Sequence, residues 1–410
     1  MNSTTALVSA IIPTYNHARY VQEAIESALA QDYPAVEIIV VDDGSTDNTP
    51  EILRGYAGKI HYIRQPNQGL SAARNTGIRA SRGDLIGLLD ADDLWMPDYL
   101  SSVVPVLLAH PNAGAVYCGW RDIDNQSKEL PFESTRITAP EDFYELFVFT
   151  NFLVPSGVVI RRECFDEAGL FDIDLRACED RDMWLRISLH RPFIGVPKPL
   201  VRYRNHAENM TKDLERMETA RRAVIAKHFG GEDSSPQTWP ALKQRAFGGF
   251  YLRTALDLFR TDRVASGNSF LQKAFNVYPE LCQNLDAFYE WSCVVQPAPS
   301  RGIPHNVDFS DASRRIFKAL DDIFTASRDN LGLMARKNQA YSYAHFALGL
   351  LAYHTGNARH ARMNLTRALV KDPAILGNPA FRATWVRALV GKRMIKTLKG
   401  IHLTSIIGRR

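Results

Sequence analysis

Carboxylates gather at three points in the first half of this sequence. Residues 36–41, apolar except for Glu37, lead into Asp42-Asp43-Gly44-Ser45, and residues 85–89 lead into Asp90-Ala91-Asp92-Asp93. A third group, Cys178-Glu179-Asp180-Arg181-Asp182, opens a stretch with helical spacing. Asp90 and Asp92 stand two residues apart past a buried strand, so both can point to one side. Hard cations such as Mg2+ and Mn2+ take oxygen ligands of this kind, usually one or two carboxylates plus phosphate oxygens. An EF-hand is excluded, because Trp95 stands where its loop needs glycine.

The remaining groups each have a chemical and a structural reading. Asp42 and Asp43, at a strand end, can accept hydrogen bonds from a base N–H or a ribose hydroxyl. Gly44 permits a sharp turn and Asp47 can cap the next helix. Gly69 and Ser71 mark a loop entering a helix, whose N-terminus favours anions. Arg74 lies one turn in, either reaching a diphosphate or exposed on the helix surface. Glu179 and Asp180 are either ordinary partners of the helix dipole or the source of a general base for an attacking hydroxyl. No G-x-G-x-x-G follows the first strand and no P-loop exists, which disfavours hydride transfer and P-loop ATP hydrolysis.

These groups need a frame. Apolar runs at 8–12, 36–41, 60–63, 85–89 and 115–118 predict buried strands, with helical signals at 20–30, 49–56, 71–80 and 97–110 between them. Such alternation implies an α/β fold with a mostly parallel sheet and helices on both faces. Ligands on these sheets bind at the carboxyl ends of the strands, where the acids cluster. A further strand is expected near 158–161 and a helix near 182–189. From Met210 the pattern is helical, predicting an all-α accessory domain. Residues 245–279 align with 339–373, matching Leu271 to Leu365, Ala274 to Ala368 and Pro279 to Pro373. Both resemble the tetratricopeptide helix pair, with an ordinary bundle as the alternative.

At 410 residues, with 45% hydrophobic and 23% charged, the chain reads as two or three globular domains. Five scattered cysteines without a C-x-x-C pair predict reduced thiols rather than a zinc site or disulfides. The beginning lacks the features of a signal peptide, and no run is long enough to span a membrane. After Asp372 there are no acids but eight basic residues, which more than account for the net charge of +4. That argues against a nucleic-acid partner. The basic, apolar stretch 385–399 predicts an amphipathic helix on an anionic membrane surface, or else a disordered or core-docked terminus.

Together the stretches IIPTYNHARYVQEAIESALAQDYPAVEIIVVDDGSTDNT, NQGLSAARNTGIRASRGDLIGLLDADDLWMPD and CEDRDMWLRI resemble the family 2 glycosyltransferases of GT-A fold. The resemblance covers about residues 7–206. It implies Pro13, Tyr15, Asp42, Asp43, Arg74 and Asp90 as nucleotide-binding residues. It further implies Asp92, Asp93 and His206 as the site of Mn2+ or Mg2+, and Asp180 as catalytic base with Glu179 beside it. The implied reaction is metal-dependent, inverting transfer of one sugar from a nucleotide sugar, UDP first among donors, to a hydroxyl of a glycan or lipid-linked acceptor. Cell-surface polysaccharide, lipopolysaccharide or glycolipid synthesis is the expected setting. No Q-x-x-R-W motif is present, so a processive synthase is not expected. The expected layout is a catalytic domain over 1–230, a helical tetratricopeptide-like domain over 240–380 that offers a protein-partner surface, and a basic tail over 381–410. The location is expected to be cytoplasmic, on the inner membrane face if the tail binds lipid. A degenerate scaffold and a nucleotidyltransferase are the alternatives.

Overall fold

The computed structural model describes residues 5–294 and 308–398, with side chains described as far as Leu389. The chain divides into two compact units, Met1–Gly231 and Glu232–Arg410.

The first unit is built on a nine-stranded sheet. Four strands form its parallel part: β1 (Val8–Thr14), β2 (Val36–Asp42), β3 (His61–Arg64) and β4 (Leu85–Leu88), in the order β3-β2-β1-β4. Every residue of β1 and β4 is buried, which is why β4 reads as an apolar run and β1 nearly so, interrupted only by Ser9 before it ends in Thr14. The helices between them are α1 (Val21–Leu29), α2 (Thr49–Arg54) and α3 (Leu70–Ala80). In α1 the buried residues are Val21, Ala24, Ile25 and Ala28, one face at helical spacing. They pack with Val8, Ala10 and Ile12 on one side of the sheet, while Ala73 of α3 packs with Ile39 and Val41 on the other.

Beyond β4 the sheet is mixed. After the two-residue strand β5 (Leu94–Trp95) and helix α4 (Tyr99–Ala109) come β6 (Ala115–Ile123) and β7 (Glu129–Ser134). Helix α5 (Phe143–Phe149), β8 (Val158–Arg161), α6 (Glu163–Ala168), α7 (Glu179–Ser188), β9 (Phe193–Arg204) and α8 (Leu214–Phe229) complete the unit. Strand β8 runs antiparallel between β4 and β6, and β9 runs parallel to β6. This is the curled GT-A sheet, parallel at one end and mixed at the other. Strand β5 pairs antiparallel with β9, Leu94 opposite Arg202. That pairing brings the residues after β9 back to the acids before β5.

The second unit is helical: α9 (Ala241–Arg260), α10 (Val264–Val277), α11 (Leu285–Val294), α12 (Phe309–Ala326), α13 (Leu331–Met334), α14 (Lys337–His354), α15 (Ala358–Lys371) and α16 (Pro379–Leu398). The aligned segments fold as the helix pairs α9–α10 and α14–α15. Each pair runs into a 3-10 turn, at Pro279–Gln283 and Pro373–Gly377. Leu271, Leu365, Ala274 and Ala368 are all fully buried, so the matched positions do the same packing work. Residues 399–410 of the basic tail lie outside the described residues. No helix among the described residues is long and apolar enough to cross a membrane.

Candidate active site

Strands β1, β2 and β4 end side by side, Thr14 opposite Asp42 and Ile11 opposite Leu88. The residues that follow each strand therefore share one rim. Near the end of β1 Pro13 is buried, and past the strand Tyr15 is 44% exposed and Asn16 adopts a left-handed turn (φ 56°). The Asn16 side chain accepts a hydrogen bond from the Thr46 amide at 2.8 Å, tying the two loops together.

Asp42 and Asp43 are both buried and committed to the protein itself. Asp42 accepts from the Ser45 amide at 2.8 Å and the Tyr62 hydroxyl at 3.1 Å. Asp43 accepts from the Gln65 side chain at 2.7 Å and from the amides of Gln68 (3.0 Å) and Gly69 (2.7 Å). Of the adjacent acids that a simple turn could not explain, Asp43 therefore shapes the loop 65–69 and Asp42 holds Ser45 and Tyr62. Gly44 makes the turn possible: φ is +80°, and a Cβ there would sit 2.8 Å from the Asn67 amide nitrogen.

The acidic triplet after β4 splits three ways. Asp90 accepts from Arg74 Nη2 at 2.6 Å. Asp92 shares a 2.9 Å hydrogen bond with His206 Nε2 and remains partly exposed. Asp93 turns inward and is 1% exposed. It accepts from the Ser156 hydroxyl at 2.6 Å and the Arg204 amide at 2.9 Å. Burial, with Asp92 and Asp90 close by, holds the Asp93 carboxyl well above the usual range. Both its oxygens are taken, which corrects the expectation that Asp93 faces a cation. Burial acts against ionisation of Asp92 as well, but the His206 hydrogen bond and the nearby His17 keep its carboxyl below the usual range.

Arg74 departs most from its sequence reading. It is not an exposed arm but a fully buried bracket. Its Nη2 meets Asp90 and its Nη1 meets Glu179 Oε1 at 2.5 Å, with the guanidinium 5.4 Å from the Phe171 ring centre. A planar guanidinium suits this bridging task, because its rigid fork aims separate N–H groups at two carboxylates. One side chain thus joins the acids after β4 to the acids that open α7.

Helix α7 starts after Cys178, a non-glycine residue in left-handed conformation (φ 57°). Such a position costs about 1–2 kcal/mol and marks a constrained turn. Glu179 is buried on Arg74, while Asp180 keeps partial exposure and accepts from Asn151 Nδ2 at 3.2 Å. Burial, then the charge of Glu179, pushes the Asp180 carboxyl up to about 6, with Arg74 opposing. Asp182 is structural: it is held by Arg186, Lys227 and His228.

Sequence reasoning missed Ser156, Asn151, Tyr20 and Arg204. Ser156 accepts from the Asp90 amide while donating to Asp93, so it locks the triplet's conformation. Arg204 is fully buried, bonds the Asp92 carbonyl at 2.7 Å, pairs with Glu23 at 3.2 Å and stacks on Tyr20, whose ring also packs on His206. Nothing in the local sequence around Ser156 or Asn151 signals these roles.

Among the described residues, no three His, Cys, Asp or Glu side chains gather as a metal cage. The partly exposed Asp92 and the buried His206 hydrogen-bonded to it, whose Nδ1 has no partner, are the two groups here that could hold an ion. That fits an ion completed by substrate phosphates and water, the usual habit of Mg2+ and Mn2+.

Residues 9–169 match the family described as Glycosyl transferase family 2. An uncharacterized glycosyltransferase of Rickettsia typhi is 39% identical over 194 residues, covering 46% of this chain and 61% of that protein. One of Rickettsia prowazekii is 35% identical over 214 residues, covering 51% and 67%. Chondroitin synthase of Escherichia coli is 30% identical over 213 residues, covering 50% and 29%. The chain thus spans less than two thirds of several of these relatives. Among solved structures, the Pyrobaculum calidifontis mannosyltransferase PcManGT, in complex with GDP-Man and Mn2+, is 21% identical with a TM-score of 0.48, covering 83% of this chain and 88% of that one.

Proposed function

Because this chain belongs to glycosyl transferase family 2, we propose that it is a non-processive, inverting enzyme of metal-dependent type. It moves one sugar from a nucleoside diphosphate, UDP first among candidates, to a hydroxyl of a glycan or lipid-linked acceptor. The setting is assembly of cell-surface polysaccharide, lipopolysaccharide or glycolipid. The observation that carries this reading is the Arg74 bracket, which ties Asp90 to Glu179 and so places Asp180 beside the rim.

Asp180 takes the proton from the attacking hydroxyl. A carboxyl raised to about 6 is mostly ionised at neutral pH yet basic enough to accept it. Asn151 aims that carboxylate. Asp92 and His206 hold Mn2+ or Mg2+, which supplies positive charge for the leaving diphosphate. Pro13 and the exposed Tyr15 line the base and ribose, while Asp42 and Asp43 shape the nucleotide loops from behind. The helical unit serves as an accessory domain offering a partner surface, and the basic tail holds the enzyme to an anionic membrane face on the cytoplasmic side.

The test is a panel of UDP-, GDP- and dTDP-sugars with and without Mn2+. Release of free nucleoside diphosphate that depends on metal is the expected result. Pyrophosphate release would identify a nucleotidyltransferase instead. Absence of any metal-dependent nucleotide binding would leave only a scaffold.

A further inference from the structure

Three arginines of the α/β unit are buried to 5% exposure or less: Arg74, Arg181 and Arg204. Arg74 pairs with two carboxylates and Arg204 with one. Arg181 has none within ion-pair distance among the described residues, and every acidic side chain of the sequence lies among those residues. Its Nη2 donates to the Val148 carbonyl at 2.8 Å, and its Nε is buried with no partner. The neighbouring Arg221 of α8 is a like charge. The thiol of Cys178, pushed up to about 12 by burial, is neutral and offers no counter-charge. Burial and the like charge of Arg221 lower Arg181 itself to about 10, with the neighbouring Asp180 carboxylate only partly opposing them. A buried guanidinium with no carboxylate in ion-pair contact is costly, and an anionic ligand would relieve that cost.

The position says which ligand. Arg181 follows Asp180 directly on α7. Two residues of helix turn the side chain roughly 200° from Glu179, so Arg181 leaves α7 on the face away from the Arg74 bracket. It lies instead towards α5 and the loop that carries Asn151. We propose that Arg181 is an oxyanion subsite for the acceptor, so that the acceptor bears a carboxylate or phosphate close to its attacking hydroxyl. This rests on the reading of Asp180 as the base.

The test uses the full chain with its donor site filled by UDP and Mn2+. Calorimetric titrations follow with inorganic phosphate, methyl β-glucuronide and neutral methyl β-glucoside. One of the anions should bind roughly tenfold or more tighter than the glucoside. Arg181→Gln should abolish that preference while UDP–Mn2+ affinity stays within about twofold. Preference for glucuronide alone identifies a carboxylate, and for phosphate alone a phosphoryl group. If wild type favours neither anion, or Arg181→Gln keeps the preference, the subsite does not exist. Should Arg181→Gln fail to fold, Arg181→Lys decides: it keeps charge without the fork, and unweakened anion binding overturns the proposal. Failure of UDP–Mn2+ to bind wild type refutes the transferase reading instead.

Discussion

Replacing Asp180 by asparagine separates the energetic position of this carboxylate from its chemical use. The structure raises its pKa from the ordinary aspartate value of 3.8 to about 6, first by burial and then by Glu179. A raised acid is protonated more readily folded than unfolded, so its contribution makes the protein less stable as pH rises from about 4 to 6. At about 1.4 kcal/mol per tenfold, the charged form costs about 3 kcal/mol in the native state. Asp180→Asn removes that cost, giving up to about 3 kcal/mol of extra stability near pH 8 and about half as much near pH 5. Urea denaturation at the two pH values reads both numbers. In the same preparation, sugar transfer should fall roughly 10²–10⁴-fold, the usual contribution of a general base. UDP–Mn2+ binding should stay unchanged, because the donors for the ion lie on the other side of Arg74. A variant that transfers sugar within a few-fold of wild type removes Asp180 as base. A stability change independent of pH shows that the carboxylate is not held in its charged form at a cost.

Arg74→Met leaves the buried Glu179 and the partly exposed Asp90 unpaired, and a loss of up to about 3–5 kcal/mol in urea denaturation is expected; a change below about 0.5 kcal/mol would refute the bracket. Asp92→Ala should weaken Mn2+-dependent UDP binding in calorimetry by roughly tenfold or more, and Asp93→Asn far less, since only Asp92 faces outward. Chelation with EDTA should stop transfer and added Mn2+ restore it; transfer unaffected by EDTA excludes a metal role. Gly44→Ala forces a side chain into a left-handed turn and against Asn67, so a destabilisation of at least about 1–2 kcal/mol and weaker nucleotide binding are expected in melting and titration experiments.

The parallel half of the fold was readable because β1, β2 and β4 are apolar nearly throughout and each ends in a chemically distinctive run. The mixed half was not. Strand β9 carries Pro197 and Pro199, each lacking a backbone donor, and its register against β6 shifts at Cys118 and Gly119. Strand β7 alternates exposed and half-buried residues at an edge and leaves only a faint pattern. The acids themselves were found from type and spacing, but their division of labour was not. Asp92 and Asp93 are neighbours in sequence, and only the Ser156 and Arg204 contacts tell which turns inward. Arg74 was expected to reach a diphosphate or to lie on the helix surface, and its place between two acids could not be read because those partners stand 16 and 105 positions away.

A guanidinium held between two carboxylates is largely beyond the reach of dissolved ions. Counter-ions that weaken surface pairs affect it much less, because Arg74 and Glu179 are buried and Asp90 is only partly exposed. The framework of the rim therefore keeps its shape from dilute buffer to high salt. Any ionic-strength dependence of the Michaelis constant then reports the charges carried by the substrates.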